Sequence, residues 1–111
     1  MNVSFEEIGR ISATFCHAGG LEKQVCKLSA ANTVNACADG DAFCGVIESI
    51  RGGSAGVQLH GFAEVTYTGA APAIGYANLQ ADGHGGVKAA GSRSYLVVSV
   101  NTTAHTAVIE L

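Results

Sequence analysis

The feature that most constrains the fold is an alternation of apolar and polar residues in the middle of the chain. Two apolar-rich runs flank the turn Arg51-Gly52-Gly53-Ser54. In the second run the apolar positions are Val57, Leu59, Ala63, Val65 and Tyr67, and the polar positions between them are Gln58, His60, Glu64, Thr66 and Thr68. Only Gly61 and Phe62 interrupt the pattern. A period of two places alternate side chains on opposite faces of a strand, so this run predicts a long strand with one buried face.

The rest of the chain consists of short apolar runs separated by turns rich in glycine. Glycine accounts for 15 of 111 residues and proline for one, Pro72. Turns made by glycine, asparagine and aspartate suit antiparallel strands better than helices. Further strands are predicted over residues 10–16, 23–28, 30–38, 42–50, 76–80, 87–89, 95–100 and 105–111. We therefore predict an all-β fold in a single domain, residues 1–111, built as a small barrel or sandwich of about eight short strands.

Particular residues are expected in the core and in the turns. The run Leu96-Val97-Val98 is apolar at consecutive positions, which indicates a strand covered on both faces. Residues 82–86 are dense in glycine and predict a turn, and residues 101–104 predict the turn of a terminal hairpin. The predicted core residues are Val57, Leu59, Val65, Leu96, Val98 and Ile109.

Residues 1–9 do not follow the strand pattern. Ser4 and Glu7 match a helix capping box, and Phe5 and Ile8 lie one helical turn apart, so a single helical turn and an extended arm are both open. A turn this short is not stable alone. We expect an N-terminal arm whose Phe5 and Ile8 bind a partner surface.

Charge and hydropathy argue against two classes of partner. The formal net charge is −3, and the six basic residues are scattered without forming a stripe, which argues against nucleic acid. No apolar stretch approaches the roughly 20 residues that span a bilayer, which argues against a membrane. The first residues show no basic stretch followed by an apolar run, so we expect synthesis in a cytoplasm without secretion.

The four cysteines have no metal-binding spacing. Cys16, Cys26, Cys37 and Cys44 include no CxxC pair, and adjacent strand residues such as Cys16 and His17 point to opposite faces. We expect four free thiols, mostly buried, with no metal and no cofactor. Two disulfides are the alternative, and the spacing does not choose among the three pairings. His60 is expected to face solvent.

No catalytic signature is present. Asp39-Gly40-Asp41 lacks the further oxygen ligands of a calcium loop. The glycines of residues 83–86 do not open a helix, as a phosphate-binding loop requires, and no serine lies in a GxSxG motif. A pair of carboxylates needs only spatial proximity, and nothing singles one out. We predict a protein that is not an enzyme.

Several short motifs resemble one family. They are GDAFCGVI at 40–47, GVQLHGFAEV at 56–65, PAIGY at 72–76, GGVK at 85–88 and VIEL at 108–111. In this order they resemble the small β-rich capsid decoration proteins of tailed bacteriophages, also called cement or head-stabilising proteins. The resemblance covers roughly residues 20–111 and does not extend to the first 20.

The resemblance implies a β-barrel or β-tulip domain on the outer surface of the virion. Such proteins are commonly trimers that clamp neighbouring copies of the major capsid protein, and they are made in the cytoplasm of the bacterial host. An interface that is repeated over a shell gains, through multivalency, the binding strength that a single copy lacks. Two alternatives remain: a ligand- or carbohydrate-binding β module, and another virion component such as a head-fibre or tail protein.

Overall fold

The structure is a computed structural model that describes residues 11–111. This part of the chain contains strands, turns and loops and no helix, which confirms the all-β prediction. Residues 11–111 form eleven strands in succession. They are β1 (Ile11–His17), β2 (Val25–Ala30), β3 (Thr33–Ala36), β4 (Gly45–Arg51), β5 (Ser54–His60), β6 (Phe62–Thr66), β7 (Gly75–Asn78), β8 (Gln80–Ala81), β9 (Val87–Lys88), β10 (Ser94–Asn101) and β11 (Thr106–Glu110).

The first five strands form a closed barrel in the order β1-β3-β2-β4-β5. β1 closes it, because it pairs antiparallel with β5 from Ile11↔His60 to Cys16↔Ser54 and parallel with β3 at Cys16↔Thr33 and His17↔Val34. β4 and β5 are joined by the predicted tight turn at Gly52 and Gly53. Closure leaves none of these strands with a free edge.

The remaining strands form a four-stranded sheet, β6-β11-β10-β7, and a short pair, β8-β9. The glycine-dense turn connects β8 to β9, and β10 and β11 form the terminal hairpin, both as predicted. The region predicted as one strand over 76–80 is divided between β7 and β8. Pro72 lies outside every strand, where its missing N–H costs no ladder bond.

The long strand predicted from the alternating pattern is two strands in different sheets. β5 ends at His60 in the barrel, β6 begins at Phe62 in the four-stranded sheet, and Gly61 between them has φ +98°. Side-chain-bearing residues avoid that region, so glycine permits the corner. The amide of Gln58 secures it by donating from Nε2 to the carbonyls of His60 (3.2 Å) and Phe62 (2.8 Å). Gln58 is consequently buried, although the pattern predicts that it faces solvent.

The described residues form two hydrophobic clusters, one inside the barrel and one between the barrel and the sheets. Neighbouring residues contribute to different clusters: Ile47 points into the barrel, whereas Val46 points to the layer between. Cys26 and Val25 divide in the same way. The larger cluster contains Phe43 from the barrel half together with residues such as Leu79, Tyr95 and Ile109 from the second half. The two halves of the chain therefore share one core.

The predicted core is half correct. Val57, Val65 and Ile109 are at most 2% exposed, as predicted. The prediction is wrong for Leu59, Leu96 and Val98, because each of these side chains is only partly buried. The buried residues of β10 are Tyr95 and Val97. The β10–β11 register shifts between Val97 and Ser99, and this bulge places an extra residue in β10. The apolar run 96–98 therefore does not show which residues of β10 face the core.

Candidate interaction surface

Phe5 and Ile8, the predicted partner-binding residues, lie outside the described residues. The nearest described residue of the barrel is Ile11, which is 55% exposed and pairs with His60. The chain therefore enters the barrel beside the Gly61 corner. The role of Phe5 and Ile8 stays a prediction.

The outer face of the four-stranded sheet carries a row of large side chains. The strand registers pair Tyr76 with Leu96, Leu96 with Glu110 and Glu110 with Phe62, so these four residues cross the sheet on one face. Their neighbours in sequence, such as Tyr95 and Ile109, point to the core. The row is thus the face that the core does not cover.

The most exposed part of this face lies at β7. Tyr76 is 77% exposed, and Ile74, just before the strand, is 65% exposed. β7 pairs with β10 on one side and is the last strand of its sheet. We call Ile74 and Tyr76 the β7 patch. Large apolar side chains exposed together at a sheet edge favour contact with another molecule.

A shallow cleft of about 290 Å³ adjoins Tyr76. Arg93, Ser94 and Glu110 contribute polar groups to it. Arg93 is held in place, because its guanidinium carbon lies 5.2 Å from the centre of the Tyr95 ring. The cleft thus presents an aromatic ring, a cation and a carboxylate to a ligand or a partner chain.

The Tyr95 ring that supports Arg93 is itself fixed. It stacks on Phe43 with ring centres 4.8 Å apart, and its hydroxyl donates to the Phe43 carbonyl at 3.3 Å. These contacts join the base of the cleft to the barrel half. The base of the cleft is therefore part of the core that the two halves share.

A second groove, of about 370 Å³, lies between the barrel and β6. Lys23, Glu48 and Glu64 surround it, and Gln58 and Phe62 from the Gly61 corner line it as well. The side chains do not form a catalytic arrangement of nucleophile, base and orienting group. It lies beside the Gly61 corner, where Ile11 pairs with His60.

Further exposed apolar residues lie on the barrel half. Leu21 is 64% exposed, Leu28 is 54% exposed, and Ile11 completes the set. Leu21 and Ile74 are matched in exposure but lie in different halves of the fold, which makes Leu21 a useful control for the β7 patch.

The histidines and cysteines do not assemble into a metal site in the described chain: no group of three or more His, Cys, Asp or Glu residues between 11 and 111 could hold a metal ion. His60 is exposed, as predicted. The sequence predicts that the cysteines are mostly buried, and Cys26 and Cys37 are buried. Cys16 is instead exposed, because it lies on the outer face of β1.

The Asp39-Gly40-Asp41 segment is a turn with structural contacts. Asp41 Oδ2 accepts from Lys27 Nζ at 2.6 Å and from the Ala38 N–H at 2.9 Å. The Lys27 ammonium, followed by that N–H, lowers the pKa of Asp41, and Asp41 raises the pKa of Lys27. Lys88 Nζ lies 2.6 Å from Asp39 Oδ1. Both carboxylates thus have ammonium partners within the fold.

The buried carboxylate of Asp82 organises the glycine-dense turn. Oδ1 accepts the N–H groups of His84 (2.6 Å) and Gly86 (3.1 Å), and Oδ2 accepts the Thr68 hydroxyl at 3.2 Å. These partners satisfy the carboxylate within the turn, so its burial is explained by structure.

Among residues 11–111 there is no helix long and apolar enough to cross a bilayer.

The chain matches no protein-family model, no curated protein and no solved structure.

Proposed function

We propose that this protein is a capsid decoration protein of a tailed bacteriophage, which binds the outer surface of the assembled shell of major capsid protein and stabilises it without catalysis. The observation that carries the proposal is the β7 patch. Ile74 and Tyr76 fall within PAIGY, one of the motifs that resemble the decoration family, and both side chains are well exposed. The all-β barrel and sheet suit a protein whose role is to present a surface.

The β7 patch has enough apolar area for a repeated contact. Burying Ile74 and Tyr76 on a partner would contribute about 3–6 kcal/mol before the cost of association. That is a weak interaction for one copy. On a shell, a trimer engages several sites at once, and the effective concentration of the second and third contacts makes the assembly tight. We therefore propose a homotrimer in the bound state.

The test is decoration of shells assembled from the major capsid protein of the source phage. Wild-type protein should co-sediment with shells and appear as added density on their outside in electron microscopy. Ile74→Ser should weaken binding roughly ten- to a hundred-fold, as expected for removing one buried aliphatic contact.

Leu21→Ser is the matched control, because Leu21 is exposed as much as Ile74 but lies in the barrel half. It should leave binding unchanged, and circular dichroism and thermal melting should show that both variants are folded. Failure of wild-type protein to bind shells would overturn the function. Loss of binding in Leu21→Ser alone would reject the β7 patch as the attachment surface.

A carbohydrate-binding β module is the second candidate, and the cleft beside Tyr76 favours it. An exposed aromatic ring next to Arg93, Ser94 and Glu110 can stack on a sugar and hydrogen-bond its hydroxyls. Glycan binding that is lost in Tyr76→Ala, with no binding to shells, would support this candidate. If the protein is instead a head-fibre or tail component, antibody labelling of virions should place it on the head fibres or the tail.

A further inference from the structure

Two thiols lie side by side at the wall of the barrel. Cys26, on β2, is fully buried in the cluster inside the barrel, and Cys44, just before β4, is half-buried against the same cluster. The N–H of Cys44 donates to the carbonyl of Cys26 at 2.8 Å, and the two side chains are hydrogen-bonded to each other. These contacts bring two distant cysteines into one site.

Gly45 holds this site together. A Cβ atom there would lie 2.4 Å from the Gln58 carbonyl oxygen and 2.8 Å from a methyl group of Val57, so only glycine lets the start of β4 lie this close to β5. The Gly45 carbonyl oxygen lies 3.6 Å from Cys26 Sγ and is a second acceptor within reach of the single S–H of that thiol. The backbone therefore fixes Cys44 against Cys26 independently of the cysteine side chains.

The two thiols differ in acidity. The hydrogen bond from Cys26 is the main cause that lowers the pKa of Cys44 to about 7, and backbone N–H groups and Arg93 add to it while burial opposes it. The same hydrogen bond and burial raise the pKa of Cys26 far above its ordinary value. Cys44 is thus the thiol that ionises near neutral pH, while Cys26 keeps its proton.

We propose that Cys26 and Cys44 are an oxidation site that forms a reversible intramolecular disulfide with small disulfides such as oxidised glutathione. The half-buried Cys44 reacts with the oxidant, and the buried Cys26 resolves the product. This site is separate from the β7 patch and does not rest on the proposed function.

The reaction balances in two exchanges. The Cys44 thiolate attacks one sulfur of oxidised glutathione, the S–S bond breaks, and the glutathione thiolate that leaves takes up the proton released by Cys44. The Cys26 sulfur then attacks Cys44 Sγ, the bond from Cys44 to glutathione breaks, and the departing glutathione takes the Cys26 proton. Two protein thiols are oxidised, and one glutathione disulfide is reduced to two glutathione thiols.

The cross-link would tie β2 to the start of β4 and enclose residues 27–43. A disulfide stabilises mainly by restricting the unfolded chain, and a loop of this size is expected to raise the melting temperature by on the order of 10 °C. Reduction would reverse the shift.

The test equilibrates the full-length reduced protein with mixtures of oxidised and reduced glutathione. We expect an intact mass lower by about 2 Da, two reactive thiols remaining of the four, and the higher melting temperature. Trypsin separates Cys26 from Cys44 but leaves Cys37 and Cys44 on one peptide, since no Lys or Arg lies between them. Cys37→Ser therefore makes the assignment unambiguous, and its digest should link residues 24–27 to residues 28–51.

Cys44→Ser should abolish the product, whereas Cys16→Ser should leave it intact. A stable glutathione adduct on Cys44, a bond from Cys44 to Cys37, or no oxidation at any glutathione ratio would overturn the proposal. Wild-type protein gives a readout that does not depend on a variant folding: alkylation of Cys44 should accelerate as pH rises through about 7. The ionisable groups around it are Cys26, Cys37, Tyr95 and Arg93, and a Cys44 profile without this rise would also count against the site.

Discussion

Single glycines set how closely the backbones of different strands approach in this protein. A Cβ atom at Gly86 would lie 2.4 Å from the carbonyl oxygen of Thr66, just as one at Gly45 would meet Gln58. In both places the obstacle is backbone, which cannot rotate away as a side chain can. The glycine content thus has a packing role in addition to its role in turns.

Burial of individual leucines supplies the sharpest test of the β10 register. Leu79 is 2% exposed in the larger cluster, whereas Leu96 lies on the outer face of its sheet and is half-buried. Leu79→Ala should lower the free energy of unfolding by about 2–5 kcal/mol. Leu96→Ala should lower it by roughly 1 kcal/mol, because less apolar area is lost.

Urea denaturation of the two variants measures this difference directly, since the residue type is the same and only the position changes. An equal or larger loss at Leu96 would mean that the inward face of β10 contains Leu96 and Val98 instead of Tyr95 and Val97.

At the scale of strands, the Gly61 corner decides the architecture. The pattern over residues 57–68 is that of one strand, yet β5 belongs to the barrel and β6 to the four-stranded sheet. Gly61 with its positive φ and the two hydrogen bonds of Gln58 redirect the chain between them. A change at this one position acts on both sheets.

Gly61→Ala should destabilise the protein by about 1–3 kcal/mol, because an alanine must adopt a backbone conformation that its Cβ disfavours. Gly53→Ala is the control. Gly53 has no positive φ, and a Cβ there meets nothing within 4 Å, so the change should be neutral or slightly stabilising. Thermal melting of both variants compares them. Equal stabilities would show that the corner does not depend on glycine.

The sequence predicts local elements well and their partners poorly. The turns at Gly52 and Gly53, at residues 82–86 and at residues 101–104 follow from local glycine and asparagine chemistry, and the structure confirms them. The sequence contains one local sign of the corner, because Gly61 and Phe62 are the only residues that interrupt the alternation. The same interruption is also compatible with one irregular strand.

Other features depend on contacts between distant residues. The bulge in β10 is hidden because residues 96–98 are all apolar, and the parallel pairing of β1 with β3 has no local signal. The approach of Cys44 to Cys26 likewise depends on the packing of β4 against β5 at Gly45. The β7 patch could be located in sequence, as part of PAIGY, but its exposure depends on β7 lying at the edge of the sheet.

At the scale of the whole molecule, the barrel and the sheets are held together by one shared cluster, and Ile11, the first described residue, pairs with His60 beside the corner. We expect that deleting residues 1–9 leaves the melting temperature nearly unchanged and weakens shell binding or trimer formation, because Phe5 and Ile8 are predicted to bind a partner. Native mass spectrometry and co-sedimentation with shells measure the two effects.

The full-length chain under the same conditions is the reference. A truncated protein that melts much lower yet still decorates shells would place residues 1–9 in the core and refute the arm. A monomer both in solution and on the shell would refute the trimer.

The division of the chain at Gly61 also orders events during synthesis. The strands of the barrel all precede Gly61, so the barrel can close before the second half leaves the ribosome. Until then the side of the barrel that carries Val25, Phe43 and Val46 has no cover, because its partners Leu79, Tyr95 and Ile109 are made last. A nascent chain with residues up to 60 outside the ribosome and the second half still inside would therefore be the species that chaperones bind most readily, and release of the terminal hairpin would end that exposure.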